Sequence, residues 1–151
     1  MRIFSGSGTI SLILFIMCFL IPECTLSFPK EGAYQIFKEN NKEGLKSDKG
    51  SIVIPARYDK IGWSDGSIKV IKKVIGFKSD NRWGLLSIDN DTITSPKYTS
   101  LIPYSEKFIF AGKLKPFSNE ERWGIIKPNG KTKVKFIYHS LQDAAPYIKA
   151  S

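Results

Sequence analysis

The sequence predicts an all-β chain of three antiparallel repeats, each about forty residues long. Three observations predict it. RWGLLS at residues 82–87 returns as RWGIIK at residues 122–127. Sliding the chain by that distance without a gap brings Gly44, Gly84 and Gly124 into register, each followed by an aliphatic residue, Leu45, Leu85 or Ile125. Past the N-terminal segment no stretch carries apolar residues at helical spacing, whereas short alternating runs separated by Gly, Asn, Asp and Pro recur throughout.

The same shift aligns further columns. Phenylalanines precede the glycines at Phe37, Phe77 and Phe117, and tyrosines follow them at Tyr58, Tyr98 and Tyr138. Aliphatic residues come next, at Ile61, Leu101 and Leu141. Ile68, Phe108 and Ile148 then align, followed two residues later by Val70, Phe110 and Ala150, the alternation of a strand with one buried face. The repeats so defined run over 32–71, 72–111 and 112–151.

Within the middle repeat, WGLLSID is a short apolar strand ending at Asp89-Asn90-Asp91, whose counterparts are Lys49-Gly50 and Asn129-Gly130. Asn-Gly between short strands is a hairpin signal, since both residues tolerate the positive φ of a type I′ turn. TITSPKY is the second strand, SLIPYSE a loop, and KFIFAGK an alternating strand. A last strand around KPFS and the polar turn SNEE lead into the next Trp-Gly, giving three or four strands per repeat.

These residues carry a resemblance. Trp-Gly with two aliphatics, a turn with Asn-Gly or Lys-Gly, then aliphatic-Pro-x-x-Tyr resembles the WG-repeat family, most closely over residues 47–73 with Ile54-Pro55 and Tyr58-Asp59. The first repeat departs by placing Glu43 where the others have Trp83 and Trp123, and the third places Lys135 where the first has Pro55. The resemblance implies an all-β repeat architecture of propeller blades or stacked sheets, without known enzyme activity. From the residues themselves, an open stack of hairpin sheets, a three-bladed disc and a β-trefoil-like threefold arrangement all remain open. Ring closure is one expectation, because AYQIF at 33–37 is in phase with residues 73–77 and 113–117 and would pair with the last repeat.

The N-terminus reads as a signal peptide over 1–27: Arg2 precedes an apolar run from Thr9 to Ile21, too short for a comfortable span, and Pro22 ends it. Thr25-Leu26-Ser27 suits cleavage before Phe28, leaving residues 28–151 as one small β domain. A lipid anchor at Cys24 is the weaker alternative, since Pro22-Glu23 fits a lipobox poorly. The protein is therefore expected to be secreted or in the periplasm or cell envelope, with no membrane span once the leader is removed. Both cysteines, Cys18 and Cys24, would leave with it, so no disulfide supports the remainder.

The net charge is +9, with lysine far outnumbering arginine. Lys131, Lys133 and Lys135 alternate through KTKVKF and would share one face of a strand. Lysines guarding a strand edge is the plain reading; an anionic polymer is second; nucleic acid, usually read with arginine forks, is last. Trp63, Tyr104 and Tyr147 fall in loops and share no column, which makes them candidates for ligand contact beside their packing role. His139 is the sole histidine, and no H-E-x-x-H or G-x-S-x-G arrangement accompanies it. Asp89-Asn90-Asp91 lacks the further ligands of a calcium loop. No catalytic residue, metal or cofactor is assigned. The expectation is a non-enzymatic module that binds a macromolecule, a protein first, through Trp63, Tyr104, Tyr147, Lys131, Lys133 and Lys135, with a lectin-like or polyanion-binding domain as the alternative.

Overall fold

A computed structural model describes residues 33–148; the expected leader with Cys18 and Cys24, and Ala150, lie outside the described residues. Strands β1 (Tyr34–Glu39), β2 (Lys42–Ser47) and β3 (Ile52–Tyr58) form the first sheet. The second contains β4 (Lys60–Ile61), β5 (Val74–Ser79), β6 (Arg82–Ser87) and β7 (Thr92–Tyr98), and the third β8 (Ser100–Pro103), β9 (Ile109–Leu114), β10 (Glu121–Ile126) and β11 (Thr132–Tyr138). Helix α1 (Leu141–Ala144) and a 3₁₀ turn (Ala145–Ile148) follow. All pairings are antiparallel between sequence neighbours, so each sheet is a meander. The sheets break at Asp59 and Thr99, so β4 and β8 belong to the first and second repeats in sequence but pair into the following sheet.

Two kinds of turn make the meanders. Asn40-Asn41 and Asp80-Asn81 have both residues at positive φ and close β1–β2 and β5–β6 as two-residue hairpins. The turns flagged by Lys49-Gly50, Asp89-Asn90 and Asn129-Gly130 form where expected, but only Gly50, Asn90 and Gly130 take positive φ. They are therefore not type I′; one left-handed residue ends each, with amide bonds back to Ser47, Ser87 and Lys127.

The glycine column is explained by a bulge. Glu43 pairs with Tyr58 and Leu45 with Ile54, so Gly44 alone faces Pro55, Ala56 and Arg57. Gly84 and Gly124 face the same excess in β7 and β11. The bulge drives a backbone carbonyl onto the glycine: a Cβ at Gly84 would sit 2.6 Å from the Thr94 oxygen, and one at Gly124 2.7 Å from that of Val134. A phenyl ring covers the other side. Phe37 lies over Gly44 and Phe77 over Gly84.

The third phenylalanine breaks the expected column. Phe77 pairs with Gly84 seven residues on, whereas the partner of Gly124 is Ala111, thirteen residues before it. Between paired residues, Leu101 to Ala111 is six residues shorter than Ile61 to Phe77, and Ala111 to Gly124 is six longer than Phe77 to Gly84, so the forty-residue period survives while β9 shifts. Phe117 is consequently a fully exposed turn residue at φ 59°, and the Val70–Phe110 alignment does not mark equivalent strand positions. The ring missing at Ala111 is supplied by Phe136, from the bulge of β11, over Gly124. Where the hairpin carries Phe, the bulge carries Ala56 or Pro96; where the hairpin carries Ala, the bulge carries Phe.

The tyrosine column joins the layers. Tyr58 of the first sheet meets Phe77 of the second at 4.7 Å between ring centres, and Tyr98 of the second meets Phe136 of the third at 5.9 Å. Tyr138 meets Tyr147 of the 3₁₀ turn at 5.0 Å. Leu45 and Ile54 pack against Ile61, Ile75, Phe77 and Leu86 between the first two sheets. Trp83, Leu85 and Tyr98 pack with Leu101, Ile109 and Ile126 between the second and third. Each fully buried aliphatic contributes about 2 kcal/mol.

Of the three arrangements, the open stack is the one formed: among the described residues there is no closed barrel, and β1 pairs with β2 rather than with the last repeat. Both end faces of the described stack differ from its interior in sequence. The cross-strand pair Ile75–Leu86, repeated as Ile109–Ile126, becomes Gln35–Lys46 on the first sheet, a polar end face. At the other end Ala144 and Leu141 of α1 cover Phe110 and Ile125, with Ser140 capping the helix on the Asp143 amide.

Candidate binding site: a lysine-rimmed apolar cleft

Where the second and third sheets meet, the stack leaves an open cleft of about 690 Å³. Its floor is apolar: Val74 from β5, Ile93 from β7, Phe108 ahead of β9 and Pro128 from the β10–β11 turn. Its rim carries Lys72, Lys73, Lys107 and Lys127. Gly130 lets the β10–β11 turn seat hard on β7, since a Cβ there would lie 2.6 Å from Thr94 Cγ2. That contact places Lys127 and Pro128 across from Ile93.

Lys72 and Lys73 arrive by a strained turn. Both take positive φ, 44° and 62°, between the mutually bonded Ile71 and Val74. Side chains with a Cβ pay for that conformation with about 1 kcal/mol or more each. Here no Asn or Gly relieves it, unlike the hairpins at Asn40-Asn41 and at Asp80-Asn81. The Lys72 amide donates to Glu106 Oε2 at 3.2 Å, while Oε1 of the same carboxylate pairs with Lys69 at 3.3 Å, so Glu106 ties the turn to the loop that brings Lys107 and Phe108. Among the described residues none of the four rim lysines has an ion-pair partner. An apolar floor with an unneutralised cationic rim suits a ligand that joins an apolar group to acidic ones.

The six residues singled out in the sequence fall elsewhere. Trp63 is corrected outright: it is 2% exposed in the core between the second and third sheets, with its indole N–H donating to the Lys69 carbonyl at 2.6 Å, and presents no surface to a ligand. Its loop folds inward because Gly76 of β5 leaves the ring room to approach, a Cβ there lying 3.2 Å from Trp63 Cε3. Tyr104 is 55% exposed and stands edge-on to Phe110. Tyr147, half exposed, is held against Tyr138, whose hydroxyl is pushed up in pKa chiefly by its hydrogen bond to Tyr147 and then by burial. Lys131, Lys133 and Lys135 are exposed at and along β11, the edge strand of the third sheet, so the structure does not bring them together with the aromatics. His139 is an exposed side chain 2.7 Å from Arg122, which itself pairs with Glu120 at 2.6 Å.

The cleft residues escaped sequence reading because they come from three separate turns and loops and from strand residues such as Ile93 of β7. One local signal existed: Lys72-Lys73 directly before an apolar strand, with neither Gly nor Asn to make the turn. Residues 44–73 match the family model of the WG containing repeat. The matched stretch begins at the glycine of the first bulge, includes β3 and β4, and ends on Lys73 at the cleft rim. No curated protein and no solved structure matches the chain.

Proposed function

We propose that this chain, which carries a WG-containing repeat, is an exported, non-enzymatic binding module whose partner is a protein with an acidic, apolar segment. The observation that supports it is the cleft: four lysines, without an ion-pair partner among the described residues, around an apolar floor, one pair held in a strained turn. Export rests on the leader-like run from Thr9 to Ile21 with Arg2 before it. The non-enzymatic reading rests on the exposed position of His139 beside Arg122, far from a base–nucleophile arrangement. The row Lys131, Lys133 and Lys135 on the edge strand favours a second reading, capture of an anionic polymer or glycan by charge alone.

Titration of the purified chain with a synthetic peptide of alternating Glu and Leu, and separately with dextran sulfate and neutral glycans, distinguishes the two. The cleft reading predicts saturable peptide binding that Lys72→Glu, Lys107→Glu and Lys127→Glu together weaken by about tenfold or more, equivalent to roughly 1.4 kcal/mol. Reversal of Lys131, Lys133 and Lys135 should leave it unchanged. Dextran sulfate binding that tracks the β11 lysines, with no peptide binding, would establish the polyanion reading instead.

A further inference from the structure

The second and third sheets each begin with a strand that the first sheet lacks. β4 lies along β5 through the pairs Lys60–Lys78 and Ile61–Phe77, and β8 lies along β9 through Ser100–Gly112 and Leu101–Ala111. In both, the amide before the strand also bonds the same carbonyl, Asp59 to Lys78 at 3.0 Å and Thr99 to Gly112 at 2.9 Å. In the first sheet the corresponding position beside β1 is unfilled among the described residues, and β1 is an edge.

Parity decides what that edge offers. The two-residue turn at Asn40-Asn41 directs the backbone groups of Gln35, Phe37 and Glu39 towards β2, and those of Tyr34, Ile36 and Lys38 outward. Ile36 and Lys38 are the counterparts of Gly76 and Lys78, which take Gly62 and Asp59 amides in the second sheet. The side chains of the incoming strand are equally defined. Ile61 and Leu101 are buried beside the first hairpin strand, 3% and 0% exposed. The residue two before each touches the far end of the hairpin: Asp59 Oδ2 accepts from the Asp80 amide at 3.0 Å, and the Thr99 hydroxyl donates to Glu121. The Asn40 amide is the counterpart of Asp80's on the first sheet.

We propose that the β1 edge is a second binding site, which completes the first sheet by accepting an extended polypeptide segment of the form Asp-x-aliphatic in antiparallel register. The segment lies along Ile36 to Lys38, sets its aliphatic side chain beside Phe37 and its carboxylate on the Asn40 amide. Backbone bonds supply the attachment and these two side chains the selectivity. The site is separate from the lysine cleft and does not depend on it.

The probe is a fluorescent hexapeptide with the sequence of residues 58–63, titrated into the full chain and followed by anisotropy. Saturable binding is expected, and Ile61→Asp within the peptide should abolish it. Lys38→Pro in the protein removes an outward N–H while sparing the bonds to β2, and should weaken binding by about tenfold or more. Lys38→Ala should bind as the parent does. Absence of peptide binding, or equal binding by Lys38→Pro, overturns the proposal. Should Lys38→Pro fail to fold, hydrogen exchange of the parent decides: the Ile36 and Lys38 amides slow on adding peptide, and unchanged exchange there overturns it. Charge reversal at Lys72, Lys107 and Lys127 leaves this binding intact, which keeps it distinct from the cleft.

Discussion

The interchange of phenyl rings between hairpin and bulge can be tested by transplanting the third sheet's solution into the second. Phe77→Ala removes a ring that is 3% exposed, covers Gly84 and meets Tyr58 across the sheet interface. Burial of that degree sets the loss at about 3–5 kcal/mol. Pro96→Phe places a ring at the position of Phe136, where it competes with Phe77 for the space over Gly84, at a cost of about 1–3 kcal/mol. Together the substitutions recreate Ala111 with Phe136, so the new ring should occupy the vacated space and reach Tyr58. The double variant is expected to lose only about 1–3 kcal/mol, well short of the sum of the singles. Urea unfolding monitored by circular dichroism on all four proteins gives the coupling. A double variant as unstable as additivity requires would refute the equivalence of the two ring positions.

Three further outcomes follow from the same geometry. Gly84→Ala forces a Cβ to within 2.6 Å of the Thr94 carbonyl oxygen and should cost about 2–3 kcal/mol in the same assay, because backbone cannot yield as a flexible side chain would. Trp63→Ala should cost about 3–5 kcal/mol and remove a blue-shifted component of the tryptophan emission, whereas a ligand-contact role would leave stability near that of the parent. Melting temperature against pH should fall at both extremes. Burial raises the Tyr98 pKa above 10.0, so its contribution is complete below about pH 10 and is lost as pH rises through the raised value; Tyr98→Phe should flatten that limb. The Lys42 hydrogen bond, then that from the Asp80 amide, lowers the Asp59 pKa below 3.8, so its contribution is present above that value and is lost as pH falls through the lowered one; Lys42→Ala should diminish the acid limb.

What could be read from the sequence is what each layer repeats with the same spacing. The glycines recur because every sheet contains the same bulge, and the tyrosines because every layer presents a ring to the next. Phe117 misled because two length changes of six residues cancel between Gly84 and Gly124, which leaves the period intact and moves β9 out of phase. Period alone could not choose between ring and stack. The deciding residues were visible but mute: Gln35 and Lys46 mark an end only once Ile75–Leu86 and Ile109–Ile126 are known to be pairs. Trp63 was misread because its loop is long and aperiodic, yet folds into the core. The cleft was illegible for a different reason, as Lys72, Ile93, Phe108 and Lys127 meet only through the packing of one sheet on another.

The most direct test of the functional account is a nuclear magnetic resonance titration of the chain with the Glu-Leu peptide, following each backbone amide. The account predicts that shifts concentrate at Lys72–Val74, Ile93, Phe108 and Lys127, around the cleft between the second and third sheets. Shifts confined to Lys133 and Lys135 along β11, or no shifts at all, would contradict it.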